Sequence, residues 1–194
     1  MTTFSDPPRT AAWQHQNART GFEVVFLSSD DDGYRVEGHT AAFEGGEAWA
    51  IDYVITLDRG WLTQSARTEG HSATGRHELT LEADGAGGWT INGAPAPELD
   101  GCLDLDLEAS ALTNAFPVRR LGLEVGQRAE APAAWVRALE LGVERLAQRY
   151  ARLEDDTKHL RYDYTAPDLD FRSVLVCDEH GLVLDYPGLA VRIA

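Results

Sequence analysis

The chain has 194 residues with 32 acidic and 17 basic side chains, which gives a formal net charge of −15 at pH 7. Such a charge repels phosphate backbones and anionic lipid surfaces, so the sequence predicts no nucleic-acid partner. Hydrophobic residues make up 43% of the chain and charged residues 25%, as in an ordinary soluble globular protein. No apolar run is long enough to span a membrane, and the length suits one domain over residues 1–194.

The N-terminal sequence MTTFSDPPRT lacks a basic segment followed by an apolar one, so nothing in it directs secretion. We therefore expect a cytoplasmic protein, with residues 1–12 as a flexible N-terminal tail. Cys102 and Cys177 lie far apart and have no metal-binding or redox spacing. In a reducing compartment we expect both to be buried, unreactive thiols.

Alternating apolar and polar residues predict strands along most of the chain. The longest run covers residues 49–57, in which Trp49, Ile51, Tyr53, Ile55 and Leu57 share one face. Shorter alternating runs follow at 79–81, 89–91, 160–164, 182–186 and 189–193, and most are bounded by Gly-containing turns. Many short strands at such spacing are typical of an antiparallel sandwich, roll or barrel.

One segment, Leu139 to Leu153, fits two patterns. Its apolar residues at 139, 143, 146, 150 and 153 suit one face of a helix, and its composition favours helix. The apolar residues at 135, 139, 141 and 143 also share a parity, which fits a strand running through Val136 with a bulge near Arg145. The residues alone leave both open.

The segment from Leu103 to Gly126 places acidic and basic side chains in a β context. Leucines at 103, 105 and 107 alternate with Asp104 and Asp106, so a strand would put both carboxylates on the face opposite the leucines. A bend follows at residues 113–117, with a short helical turn over 110–116 as an option. A second strand is expected at 121–125. Adjacent strand residues point to opposite faces, so Arg119 and Arg120 at its start should diverge, one of them toward the aspartates.

Three interpretations of Asp104 and Asp106 compete. The carboxylates could pair with arginines such as Arg120 or cap turns. They could accept hydrogen bonds from sugar hydroxyls, or they could act as an acid/base pair, since side chains two apart on a strand lie about 7 Å from each other. The sequence likewise allows two interpretations of Asn114, which either forms a local turn or contributes to a polar site.

Several common chemistries lack their residues in this sequence. It contains no phosphate-binding P-loop, no GxGxxG after a strand, no HExxH and no GxSxG. The six histidines are scattered without ligand spacing, so neither a metal site nor a cofactor is predicted. We expect no catalytic residues.

Five segments together carry a resemblance to a known family: Glu98–Asp106 (ELDGCLDLD), Thr113–Leu121 (TNAFPVRRL), Gln148–Tyr150, Tyr162–Tyr164 and Gly181–Leu189. In this order they resemble the Putative glycolipid-binding family over nearly the whole chain. The sequence departs from the family pattern at residues 115 and 116, where small and aliphatic residues are usual. The resemblance implies a mainly β fold with little helix, a single strongly curved antiparallel sheet or spiral β-roll, similar to bacterial lipoprotein and lipid carriers. It favours strand for residues 139–153.

The leading hypothesis is a binding protein without catalytic activity, whose curved sheet encloses an apolar cavity for a glycolipid or other amphiphile. A few polar groups in an apolar concavity are the usual composition of a ligand pocket. The predicted ligand-binding residues are Asp104, Asp106, Asn114, Arg119, Arg120, Tyr150 and Tyr164. One alternative is a hydrolase of a sugar or acyl conjugate that uses the two aspartates. Another is an interaction protein that forms a homodimer through an exposed β edge or apolar patch.

Overall fold

Most of the strands join edge to edge in one antiparallel sheet. A computed structural model describes residues 2–17, 19–156 and 158–194. The sheet has fourteen strands in the order β10-β13-β14-β15-β16-β17-β1-β2-β3-β4-β5-β6-β7-β8, and it is not closed. The strands are β1 (Thr10–His15), β2 (Thr20–Ser29), β3 (Gly33–Glu44), β4 (Glu47–Asp58), β5 (Thr63–Ser72), β6 (Gly75–Ala83), β7 (Trp89–Ile91), β8 (Ala94–Pro95), β9 (Asp104–Leu107), β10 (Arg128–Glu130), β11 (Ala133–Val136), β12 (Val143–Leu146), β13 (Arg149–Arg152), β14 (Leu160–Ala166), β15 (Phe171–Cys177), β16 (Val183–Tyr186) and β17 (Ala190–Arg192).

The predicted mainly β architecture is confirmed, and so is the alternating pattern of its longest strand. In β4, the side chains of Trp49, Ile51, Tyr53, Ile55 and Leu57 are all buried on the inner face of the sheet. The strands predicted near residues 79, 89, 160, 182 and 189 are also present as β6, β7, β14, β16 and β17. In β4, β6 and β14, period-two burial against a core on one side explains why the strand can be recognised from sequence.

A second layer of the structure lies inside the curve of the large sheet. Strands β12, β11 and β9 form a three-stranded sheet in which β9 runs parallel to β11. Strand β9 is tied to the start of β5, because the amide of Leu105 donates to the Thr63 hydroxyl at 3.0 Å. Leu105 and Phe116 are fully buried in the same core as Trp13 of β1. This inner layer fills much of the concavity, so the expected single apolar cavity is reduced to a smaller space between the two sheets.

The second strand predicted in the Leu103–Gly126 segment is wrong, because the chain forms a helix there. A 3-10 turn at Leu112–Asn114 leads directly into helix α1 (Ala115–Leu121), which agrees with the option of a helical turn near residues 110–116. Pro117 lies in the first turn of α1, where its missing N–H has no helical partner to lose. Gly122, with φ 52°, ends the helix in the left-handed conformation.

Residues 139–153 form strands, as the family resemblance implied, but not one continuous strand. Arg137 and Gly142 close a turn after β11, with the amide of Arg137 donating to the Gly142 carbonyl at 2.9 Å. Strand β12 then pairs with β11 in the inner layer, while β13 pairs with β10 and β14 in the large sheet. Residues 147 and 148 carry the chain between the two layers, which a helical or a single-strand pattern could not anticipate.

The N-terminal segment is ordered against the body of the protein. The predicted tail over residues 1–12 is wrong for Thr10–Ala12, which belong to β1, where Ala11 is buried. The amides of Thr2 and Ser5 donate to the carbonyls of Gly122 and Glu179. Met1 lies outside the described residues. The single domain over residues 1–194 stays a prediction.

Two surface features bear on partners. The outer face of β2 and β3 exposes Phe22, Val24, Phe26 and Phe43. This is the kind of apolar patch on which a homodimer could form, and the homodimer stays a prediction. In the described ranges, no helix is long and apolar enough to cross a membrane. Both cysteines are buried and unpaired, as expected.

Candidate functional site

A cavity of about 210 Å³ lies between the inner layer and strands β1, β14, β15, β16 and β17 of the large sheet. Four aromatic side chains line it: Trp135, Tyr164, Phe171 and Tyr186. Its aliphatic lining includes Leu107, Leu146, Leu169 and Leu189, and its polar lining consists of His15, Arg19, Asp106, Glu108, Ser110 and Asn114. Leu169 is 47% exposed and therefore lies at the mouth of the cavity.

Asp106, near the end of β9, is the centre of a hydrogen-bonded network at the cavity wall. Its Oδ1 accepts from the Thr113 hydroxyl at 2.9 Å, and its Oδ2 accepts from Gln148 Nε2 at 2.5 Å. The same Gln148 nitrogen donates to the Tyr164 hydroxyl at 3.0 Å. Burial raises the pKa of Asp106 to about 6, although the two hydrogen bonds favour the ionised form. A carboxylate with a pKa near 6 and only neutral partners can accept further hydrogen bonds from a ligand.

Asn114 and Tyr150 extend this network along the same wall. The Tyr150 hydroxyl donates to Asn114 Oδ1 at 2.9 Å, which orients the amide and leaves its nitrogen as the group that can donate to a ligand. Tyr150 itself is buried behind the wall and packs against Tyr164, with ring centroids 5.1 Å apart. Asn114 thus contacts the cavity, while Tyr150 supports it.

Asp104 lies outside the cavity in an ion pair with Arg120. The guanidinium of Arg120 donates from Nε to Oδ1 at 3.0 Å and from Nη2 to Oδ2 at 2.5 Å. Asp104 is 1% exposed, and burial raises its pKa although Arg120 favours the ionised form. This is the pairing that one interpretation of the sequence had proposed for the aspartates. It applies to Asp104 only, because Asp106 has different partners.

Arg119 points away from the aspartates, in the direction opposite to Arg120. Its guanidinium donates to the carbonyls of Ser5 and His180 and stacks 4.2 Å from the ring centroid of Trp61. Trp61 has φ 66°, a strained conformation for a bulky side chain, and its ring is held between Arg119 and Tyr34. These contacts connect the N-terminal segment, the β4–β5 turn and the β15–β16 turn to α1.

The structure therefore brings together part of the predicted site. Asp106, Asn114 and Tyr164 line the cavity, Tyr150 lies behind it, and Asp104, Arg119 and Arg120 do not line it. The predicted divergence of the two arginines is observed, but a helix produces it rather than a strand.

His15 and Arg19 are among the polar cavity residues that the sequence analysis missed. His15 is 7% exposed, and its Nδ1 has no hydrogen-bond partner in the described part of the protein. Burial, with a smaller contribution from Arg19, lowers the pKa of His15 to about 4, so the ring is neutral at pH 7. Arg19 lies 3.4 Å from Glu44 and donates to the Glu108 carbonyl at 3.0 Å. No local motif marks these residues, since they reach the cavity only because β17 pairs with β1.

A buried acid on β2 holds another part of the cavity wall in place. Glu23 is fully buried, and its Oε1 accepts from the hydroxyls of Tyr53, at 2.5 Å, and Ser110. Its Oε2 accepts from the amide of Ala111 at 2.8 Å. Burial raises the pKa of Glu23. Because Ser110 and Ala111 line the cavity, Glu23 positions the wall without reaching the cavity itself.

The raised pKa of Asp106 predicts how stability depends on pH. The unfolded chain releases this proton near pH 3.8, whereas the folded protein retains it until about pH 6. Between these values the folded state binds more protons, so the contribution of Asp106 to stability falls as pH rises from about 4 to 6. We expect Asp106→Asn to change the free energy of unfolding little at pH 4 and to raise it by roughly 1–3 kcal/mol at pH 7.5 relative to the unsubstituted protein.

Urea denaturation at the two pH values measures this difference. Asp163→Asn is the control, because Asp163 pairs with Arg172, whose side chain is 73% exposed, on the surface of the protein. An equal effect of Asp106→Asn at both pH values would contradict the prediction.

In the described ranges, no group of three or more His, Cys, Asp or Glu side chains is placed to hold a metal ion. The geometry gives a mainly β protein with an aromatic and polar cavity between two sheet layers. The chain belongs to the family described as Putative glycolipid-binding, whose sequence model matches residues 10–192.

Solved structures include proteins that are similar to the chain. A DUF1089 family protein from Pseudomonas aeruginosa has 34% sequence identity and a TM-score of 0.73, over 100% of this chain and 99% of that one. A beta-barrel-like protein of the domain of unknown function DUF1849 from Brucella abortus has 10% identity and a TM-score of 0.57, over 98% and 96% of the two chains. The second likeness shows the fold alone. No curated protein matches the chain.

Proposed function

We propose that the protein binds the polar headgroup of a glycolipid or other amphiphile in the cavity, without catalysing its conversion. The observation that carries this proposal is the composition of the wall, in which Asp106 and Asn114 line the same cavity as the rings of Tyr164, Phe171 and Tyr186. Aromatic faces stack on apolar ring faces, and a few fixed polar groups orient the ligand. Membership of the family supports the same role.

The size of the cavity supports a headgroup rather than a whole lipid. A volume of about 210 Å³ is smaller than the roughly 300–1,000 Å³ of pockets that hold drug-sized ligands. This is enough for one ring-sized group. An attached alkyl chain would leave through the mouth and lie against Leu169 and Leu189.

The placement of the aspartates supports binding over hydrolysis. An acid/base pair requires both carboxyl groups to reach the scissile bond from the same space. Asp106 lines the cavity, but Asp104 is turned toward Arg120 and fully hydrogen-bonded there. Of the two aspartates that the hydrolase alternative uses together, only Asp106 therefore lies in the cavity.

Titration calorimetry with octyl glucoside below its micelle concentration tests the proposal. We expect saturable one-to-one binding, and we expect Leu169→Glu to weaken it at least fivefold by placing a charge at the mouth. Leu139→Glu is the matched control, since Leu139 is a similarly exposed leucine, 39% against 47%, that does not line the cavity. Absence of binding to the unsubstituted protein, or equal losses in both variants, would contradict the proposal.

A further inference from the structure

Asp106 differs from the other charged side chains of the cavity in having no ionic partner. Arg19 lies against Glu44, and Glu108 accepts from Arg137 Nε at 3.1 Å. Among the described residues, by contrast, Asp106 contacts only the neutral groups of Thr113 and Gln148. Leaving a buried carboxylate without a counter-ion costs free energy, so a cation brought by a ligand would find a favourable position there.

Three aromatic rings that line the same cavity as this carboxylate pack against one another, and we call them the aromatic corner: Tyr164, Phe171 and Tyr186. Their ring centroids are 6.0 to 6.1 Å apart, and the ring planes meet at angles of 60° to 84°. All three rings line the cavity, as does Trp135. Rings packed at steep angles present faces and edges together, and the π faces carry partial negative charge.

A carboxylate beside aromatic faces is the combination that attracts an ammonium group. Cations lie within about 6 Å of aromatic centroids, and quaternary ammonium groups are recognised in this way. We propose that the cavity is a subsite for an ammonium or trimethylammonium group, with Asp106 as its counter-ion and the aromatic corner as its cation–π surface. This inference rests on the proposed function, since the ammonium would be part of the headgroup that the cavity holds.

The remaining ionisable groups around Asp106 are compatible with a cation. Glu108 and Asp104 lie close enough to add negative potential, and the hydroxyls of Tyr150, Tyr164 and Tyr186 stay protonated because burial raises their pKa values. His15 is neutral at pH 7, and the charge of Arg19 is balanced by Glu44. A phosphate or carboxylate ligand would instead place its negative charge next to the carboxylate of Asp106.

The ionisation of Asp106 gives this binding a pH dependence. Its pKa of about 6 in the free protein means that the ammonium ligand binds a carboxylate above pH 6 and competes with a proton below it. The association constant for a permanently charged trimethylammonium ligand should therefore fall about tenfold for each pH unit below 6. A neutral ligand of the same shape should show no such fall.

Choline and 3,3-dimethylbutan-1-ol provide the test, because the second has the same shape without the charge. In titration calorimetry at pH 7.5, we expect choline to bind at least tenfold more tightly than the neutral alcohol. Decyltrimethylammonium, compared with choline, distinguishes an amphiphile from a free small cation as the natural source. Tighter binding of the decyl compound indicates an amphiphile, and equal binding indicates the small cation.

Two substitutions distinguish the contribution of the carboxylate to choline binding from the contribution of the rings. Asp106→Asn should remove both the preference for choline and its pH dependence, while Asp163→Asn on the surface of β14 should leave both unchanged. Phe171→Leu should reduce the preference for choline severalfold and keep the pH dependence, so it tests the rings independently of the carboxylate. Thermal melting confirms that each variant is folded.

The outcomes distinguish this inference from the proposed function. If octyl glucoside binds in the cavity and choline binds no better than the neutral alcohol, the ammonium subsite is wrong and the proposed function stands. If neither class of ligand binds, both are wrong. A preference for choline that persists in Asp106→Asn would also overturn the assignment of the counter-ion.

Discussion

Replacing Arg120 with methionine should lower the free energy of unfolding by roughly 3–5 kcal/mol at pH 7, as expected when one partner of a buried ion pair is removed. Asp104 is 1% exposed and the side chain of Arg120 is 15% exposed, so water cannot replace the two lost hydrogen bonds. Asp104 would be left as an uncompensated charge between β9 and α1. Urea denaturation with linear extrapolation measures the loss.

The structure offers a close control for this substitution. Arg172 makes the same two-pronged contact with Asp163, at 2.7 Å and 2.7 Å, but its side chain is 73% exposed. Arg172→Met should therefore cost about 1 kcal/mol or less. A similar loss in both variants would show that burial of Asp104 does not matter. The cost of Arg120→Met should also shrink as pH falls toward 4, because protonation of Asp104 removes the unpaired charge.

The large sheet could be predicted from sequence because its strands are buried on one side only. Strand β4 alternates strictly from Trp49 to Asp58, and β6 and β14 repeat the alternation between turns. The alternation of apolar and polar residues matches the burial of their side chains wherever a strand has one face in the core and one face outside it.

The inner layer could not be predicted in this way. Strand β9 is buried on both faces, so the alternation of leucine with aspartate did not separate an inner from an outer side. Helix α1 is only seven residues long, and its Leu121 begins an apolar alternation that looks like a strand. Its helical form depends on packing against β9 and the large sheet, which no local propensity describes.

The site shows the same division between local and long-range information. Asp106 and Asn114 fall in two of the segments that carry the family resemblance, and both reach the cavity. Asp104 lies in the same alternating pattern as Asp106, yet it forms an ion pair with Arg120 on the following helix and does not reach the cavity. His15 and Phe171 become cavity residues only through the pairing of β1, β15 and β17 with distant parts of the chain. A local sequence pattern does not show which distant strands pair with each other.

Replacing Gly38 with alanine should lower the free energy of unfolding by roughly 2–5 kcal/mol. Gly38 faces Tyr53 across β3 and β4, and a Cβ atom added to it would lie 2.0 Å from Tyr53 Cζ and 2.3 Å from the hydroxyl oxygen. Tyr53 has little freedom to move, because it is 2% exposed and its hydroxyl donates to the buried Glu23 at 2.5 Å. Overpacking costs about 1–3 kcal/mol, and a buried carboxylate that loses its donor costs about as much again.

Gly142→Ala is the matched control for this prediction. Its added Cβ would come no closer than 3.9 Å to Arg137 Cγ, and its φ lies outside the left-handed region. It should change the free energy of unfolding by less than about 1 kcal/mol, because the gain from a less flexible unfolded chain is small.

The double variant Gly38→Ala/Tyr53→Leu should lose less free energy of unfolding than the sum of its single variants, since shortening the side chain at residue 53 removes the clash. Strict additivity, or a loss below 1 kcal/mol in Gly38→Ala alone, would mean that Tyr53 does not require the glycine. The same displacement of Tyr53 would release Glu23 from Ser110 and Ala111, so ligand binding should weaken in Gly38→Ala even below its melting temperature.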